Sequence, residues 1–111
     1  EITVIDLKKI IDTAASLTLV DVRDPTQFAM CKLQYSLSLP LRQILEAPDS
    51  ASSFLRAKTA LDSPIYVLCR RGADSRVATA ELLKLGYSKA CNVIGGLDAW
   101  RLSIDPEFPS Y

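Results

Sequence analysis

Ile65-Tyr66-Val67-Leu68-Cys69-Arg70-Arg71-Gly72-Ala73-Asp74-Ser75-Arg76 runs an apolar strand into a cysteine and then into a short loop around one glycine, with a helix expected to begin near Ser75. The carboxyl ends of the strands of an open α/β sheet form the crevice in which such folds place their chemistry. Cys69 stands at that crevice, facing the amino end of the following helix. Unpaired amide N–H groups and the positive end of the helix dipole favour the thiolate, the nucleophilic form. Arg70, Arg71 and Arg76 add positive charge, and Gly72 permits the positive φ angles of a cradle of backbone donors. A free cysteine closing an apolar strand is often only a small buried hydrophobe, but Arg-Arg-Gly-Ala-Asp-Ser is too polar for a packed connection. The outline is that of an anion or oxyanion site.

Outward from this stretch, short β-rich runs alternate with helical patterns, as in a parallel sheet covered on both faces. Ile2 to Val4 reads as a first strand, and Asp6 as the cap of a helix whose apolar residues Leu7, Ile10, Ile11 and Ala14 keep helical spacing. Thr18 to Arg23 reads as a buried strand. Asp24-Pro25 then starts a short helix through Phe28, with proline at the first helical position. Tyr35 to Leu39 is a third strand, stopped by Pro40. Between Leu41 and Asp62 the interruption at Pro48, Asp49 and Ser50 separates two helical pieces. After the Cys69 loop, Val77, Ala78, Leu82 and Leu85 give a helix one apolar face, ended by Gly86. Cys91 to Ile94 is a last strand. Gly95-Gly96 turns into a final helix around Leu97 to Leu102, with Leu97 and Trp100 as core, and the tail from Asp105 to Tyr111 is not helical.

With 111 residues the chain is one domain, residues 1–111, large enough for a real core. Thirteen basic residues balance thirteen acidic ones and no basic run occurs, so charge supports neither nucleic-acid nor membrane-surface binding. No apolar stretch approaches membrane-spanning length and no signal-peptide pattern opens the chain, which points to a soluble, intracellular protein. The three cysteines, Cys31, Cys69 and Cys91, cannot all pair with one another, and none forms a CxxC motif. The absence of histidine excludes a Cys-His catalytic pair and a histidine metal site. A chain opening at Glu1 rather than methionine is expected to be a domain excised from a longer protein.

Four motifs now stand in order: Asp21-Val22-Arg23, then Ser38-Leu39-Pro40-Leu41, then Tyr66-Val67-Leu68-Cys69-Arg70-x-Gly72, then Gly95-Gly96-Leu97-x-Ala99-Trp100. In this order and spacing the chain resembles the rhodanese-like domain family over almost its whole length. The resemblance implies a three-layer α/β fold whose central, mainly parallel five-stranded sheet is covered by helices on both faces. It also implies a sulfurtransferase in which Cys69 carries a terminal persulfide sulfur held by the backbone N–H groups of Arg70, Arg71, Gly72, Ala73, Asp74 and Ser75. Asp21 and Arg23 match the family's DVR element, which lies beside the loop and helps to position it.

Two departures refine the resemblance. Cys31-Lys32-Leu33-Gln34-Tyr35-Ser36 replaces a Gly-His-Ile-x-Gly-Ala run, and Asp74 stands where thiosulfate-using members more often carry arginine or threonine. A carboxylate at the mouth opposes a small dianion. With the ending Phe108-Pro109-Ser110-Tyr111, they resemble the carboxy-terminal domain of the eukaryotic ubiquitin-activating-like adenylyltransferases and sulfurtransferases, which are similar to molybdopterin synthase sulfurylase. That resemblance implies a cytoplasmic protein serving thiolation of the tRNA wobble uridine and, in many eukaryotes, molybdenum cofactor synthesis. Its implied partners are a ubiquitin-like sulfur carrier, a persulfide donor such as a cysteine desulfurase, and an adenylation domain in the same chain. ATP and zinc belong to that adenylation domain, and no cofactor or metal is expected in this one.

Several residues carry two readings. The resemblance implies that the Cys69 persulfide attacks the adenylated carboxyl terminus of the carrier to give an acyl disulfide; Cys31 could resolve that disulfide or simply pack, whereas Cys91 opens an apolar strand and reads as core. Asp74 and Ser75 could cap the helix or take part in acid-base chemistry. Arg23 could bind a loop carbonyl or serve the site directly. A cysteine phosphatase would require an arginine after five intervening residues, where Ser75 stands; Arg76 comes one place too late. A non-catalytic rhodanese-like binding module is the other alternative, although such modules often lose the cysteine.

Overall fold

The strands β1 (Thr18–Asp21), β2 (Ser36–Ser38), β3 (Ile65–Leu68) and β4 (Ala90–Asn92) form one parallel sheet in the order β2-β1-β3-β4. This computed structural model describes residues 1–14 and 16–110, so Tyr111 of the expected tail motif lies outside the described residues. The helices are α1 (Val4–Thr13), α2 (Pro25–Met30), α3 (Leu41–Glu46), α4 (Pro48–Arg56), α5 (Ala73–Lys84) and α6 (Gly96–Ser103). From β1 the chain moves outward to β2, and from β3 it moves the opposite way to β4. The reversal lies between β1 and β3, which stay paired to their carboxyl ends at Asp21 and Leu68, and the segments that leave those ends diverge to form the crevice that this topology uses for ligands.

Alternation along the strands divides the core between the two faces. Val20, Ile65, Val67 and Cys69 pack with Leu39, Ile44, Leu55, Ala78 and Leu82 beneath α3, α4 and α5. Leu19 and Leu68 point the other way, to Val4, Leu7, Leu97 and Trp100 of α1 and α6. The period of two thus sends the Cys69 side chain to the α5 side. The three-layer α/β arrangement expected from the sequence is present, and no helix among the described residues is long and apolar enough to cross a membrane.

The sheet differs from expectation in having four named strands among the described residues instead of five. The expected strand over Ile2 to Val4 contributes a single parallel bridge, Ile2 to Val93. The physical reason is the cap: the Thr3 hydroxyl, not Asp6, accepts the Asp6 N–H at 3.1 Å and turns the chain into α1 at Val4. The third strand begins at Ser36 because Tyr35 lies at φ +71°, where an extended ladder cannot continue. Pro48 is the first residue of α4, not part of an interruption; the break is at Ala47. Val77 is 46% exposed, and α5 instead buries Ser75, Ala78, Thr79 and Leu82. Asp24 caps α2 as the Asp-Pro pair predicts, accepting the Thr26 N–H at 2.9 Å.

Candidate active site

Cys69 follows β3 directly, 4% exposed, and its Sγ accepts the Gly72 N–H at 3.0 Å. Gly72 holds φ +100° and is itself the residue preceding α5, so the helix begins at Ala73 rather than near Ser75. Neither Asp74 nor Ser75 caps the helix; both lie within its first turn, where the N–H groups lack helical acceptors. Sulfur and helix terminus are therefore adjacent, as the strand-cysteine-loop order implies.

The loop is clamped from the opposite side by α6. Leu97 N–H donates to the Cys69 carbonyl at 2.9 Å, and Asp98 N–H donates to the Arg70 carbonyl at 2.8 Å. This approach requires Gly96, because a Cβ there would collide with the Cys69 and Arg70 backbone, and its φ is +57°. The Gly95-Gly96 turn is thus part of the site, shaping the loop that carries the thiol.

A cavity of about 340 Å³ opens over the thiol, lined by Arg23, Gln27, Cys69, Arg70, Arg71, Ala73 and Asp74. Of the expected loop residues, Arg70, Arg71, Ala73 and Asp74 line it together with Arg23, whereas Gly72 and Ser75 do not. Asp21, fully buried, reaches the site through Arg23: its carboxylate accepts from Arg23 Nη2 at 2.8 Å and from Nε at 3.1 Å. Arg23 Nη2 also donates to the Cys31 carbonyl at 2.6 Å, so the arginine binds a loop carbonyl and also borders the cavity. Burial works against the guanidinium charge, but the hydrogen bonds and charge of Asp21 outweigh it and raise the Arg23 pKa above its ordinary value. Ser75 turns inward, fully buried beneath Cys69, and Asp74 is exposed at the mouth, shared with a second cavity of about 530 Å³ between α3 and the start of α2.

The positive charge around the loop is more closely balanced than the sequence suggests. Arg70 and Arg71 both face Asp98, at 3.6 and 3.4 Å, and Arg76 faces Glu1 at 3.8 Å. The Arg71 and Arg76 guanidinium groups are exposed and their pairs weak, whereas Arg70 Nε is buried and makes no hydrogen bond. Cys31 Sγ lies 3.7 Å from Arg23 Nη1, but Cys31 is outside the lining of the Cys69 cavity, and Cys91 is half-buried on β4. Asn92 and Asp98 escape the sequence motifs. The one available signal for Asn92 is an amide residue inside a β-run, a type depleted from strands.

The rhodanese-like domain profile matches residues 3–103. Among curated proteins, the adenylyltransferase and sulfurtransferase MOCS3 of Aedes aegypti is 39% identical over 114 residues, covering 99% of this chain and 26% of that protein. The adenylyltransferase and sulfurtransferase uba4 of Aspergillus clavatus is 36% identical, covering 85% of this chain and 22% of its own. This chain thus spans about a quarter of the length of these relatives. Among solved structures, a rhodanese-like domain protein from Staphylococcus aureus has a TM-score of 0.77 at 26% identity, covering 99% of this chain and 96% of that one. The human single domain sulfurtransferase TSTD1 shares the fold, with a TM-score of 0.77 at 22% identity over 92% of this chain and 95% of its own.

Proposed function

This chain belongs to the rhodanese-like domain family, and from that premise we propose that it is a sulfurtransferase that carries a persulfide on Cys69 and gives its outer sulfur to the adenylated carboxyl terminus of a ubiquitin-like carrier. The observation that carries the reading is the placement of the Cys69 sulfur, 3.0 Å from the Gly72 N–H at the amino end of α5 and on the wall of an open cavity. A sulfur so placed can accept a second sulfur that projects toward the unpaired first-turn amides.

Loading begins when the Cys69 thiolate attacks the outer sulfur of a donor persulfide, such as that of a cysteine desulfurase; the donor leaves as a thiolate. The Cys69 persulfide then attacks the acyl carbon of the carrier adenylate, expelling AMP and forming an acyl disulfide. A dithiol reductant splits that S–S bond and is itself oxidised to a disulfide, releasing a carrier thiocarboxylate and returning Cys69 to the thiol. Arg70 and Arg71 border the cavity and can exchange Asp98 for the adenylate phosphate. The carrier, the donor and an adenylation domain supplying ATP chemistry come from the likeness to the adenylyltransferases and sulfurtransferases. The products would serve tRNA wobble-uridine thiolation and molybdenum cofactor synthesis in the cytoplasm. No step in this domain calls for a metal or cofactor.

The test reconstitutes the adenylation domain, ATP and carrier with this domain and a persulfide donor, and follows carrier mass under limiting reductant without free sulfide. Wild type is expected to yield thiocarboxylate and Cys69→Ala none. Equal conversion by Cys69→Ala overturns the reading.

A further inference from the structure

Behind the Cys69 sulfur a chain of polar groups runs through the core to the surface. Cys69 Sγ and Ser75 Oγ are 3.2 Å apart, Ser75 Oγ and Asn92 Oδ1 are 2.5 Å apart, and Asn92 Nδ2 donates to the Glu1 carboxylate at 2.9 Å. Ser75 is fully buried and Asn92 is 2% exposed, so no bulk water competes for these groups.

The Glu1 end determines the direction of every proton in the chain. An ionised carboxylate only accepts, so the Asn92 NH₂ must face Glu1 and its Oδ1 must face Ser75. Hydrogen bonding to Asn92 is also the leading influence that lowers the Glu1 pKa, which keeps that end in its accepting form. The single Ser75 proton then points to Asn92, and the hydroxyl offers only lone pairs toward Cys69. That arrangement suits a thiol, whose S–H can donate to Ser75. It does not suit a sulfur without a proton, which would meet the Ser75 oxygen lone pair against lone pair.

We propose that the Ser75 hydroxyl is a switchable donor to Cys69, resting on Asn92 while Cys69 is a thiol and turning to the sulfur once its proton has left. This inference rests on the persulfide reading above and deepens it. When an acceptor such as cyanide attacks the outer sulfur, the S–S bond breaks and its electron pair stays on Cys69 Sγ. The new thiolate then takes the Gly72 N–H and the Ser75 O–H together. Ser75 touches the reacting sulfur and stabilises the leaving group. Asn92 is a positioning residue that supplies the hydroxyl's resting acceptor.

The experiment loads each variant with a persulfide donor, confirms the added sulfur by intact mass, and measures discharge to cyanide. Ser75→Ala is expected to end loading with the same single added sulfur and to discharge about tenfold more slowly, the effect of one hydrogen bond to a charged sulfur, with KM for cyanide unchanged. Ser75→Thr, which keeps the hydroxyl, restores the rate. Asn92→Leu, which frees the hydroxyl from its resting acceptor, discharges at least as fast as wild type even where its melting temperature falls. Wild-type discharge by Ser75→Ala overturns the proposal, and so does equal slowing by Ser75→Ala and Asn92→Leu, the mark of simple packing damage. If Ser75→Ala does not fold, a slowed Asn92→Leu alone overturns it. Failure of the wild-type chain to load sulfur on Cys69 is a different result and counts against the persulfide reading itself.

Discussion

Around Cys69, the sequence identifies the reactive atom far better than the residues that hold it. The cysteine, Gly72 and the adjacent arginines are local in the chain, and their spacing alone brings them to one loop. Asp21 and Arg23 are legible because they too sit at a strand end. Asn92 and Asp98 are not, since their partners Ser75, Arg70 and Arg71 are distant in sequence and meet them only after folding. The Asp21–Arg23 pair is buried on both sides, so Asp21→Asn removes the charge that balances a buried guanidinium and is expected to cost about 3–5 kcal/mol. Urea unfolding measures this, and a loss within experimental error of zero would contradict a structural role for the pair. Asp74 is exposed at the cavity mouth and adds negative charge where a small anion enters. Asp74→Arg is expected to raise thiosulfate turnover about three- to tenfold at low salt, less at high salt, as surface electrostatics dictate. Lower turnover would make Asp74 a positioning group instead.

At the level of elements, hydrophobic alternation and helix punctuation reveal the parallel βα pattern, the Asp-Pro start of α2 and the Gly-Gly entry to α6. They fail where a single residue decides. Thr3 takes the cap from Asp6 and shortens the expected first strand to a bridge, and the positive φ of Tyr35 trims another. The face of α5 is misread because the serine and threonine it buries look polar in sequence; Ser75 has Asn92 as a partner and Thr79 donates to the Ser75 carbonyl at 2.7 Å. The interlock of α6 with the Cys69 loop depends on one missing side chain. Gly96→Ala places a methyl against the Cys69 and Arg70 backbone at a left-handed φ, with an expected loss of about 1–3 kcal/mol. It should also slow sulfur discharge by displacing the loop. Thermal unfolding and cyanide kinetics read the two effects, and an unchanged discharge rate would show that the clamp does not shape the site.

For the whole molecule, the sheet order brings the ends of β1 and β3 together at the chain's reversal point, and the functional groups gather there because the topology leaves that crevice open. The central claim is that Cys69 is the covalent sulfur carrier. Its most direct test is intact-mass analysis after incubation with a persulfide donor. The account predicts one added sulfur atom in wild type, in Cys31→Ala and in Cys91→Ala, removed by cyanide, and none in Cys69→Ala; a wild-type chain that gains no sulfur, or a Cys69→Ala chain that gains it equally, would contradict it.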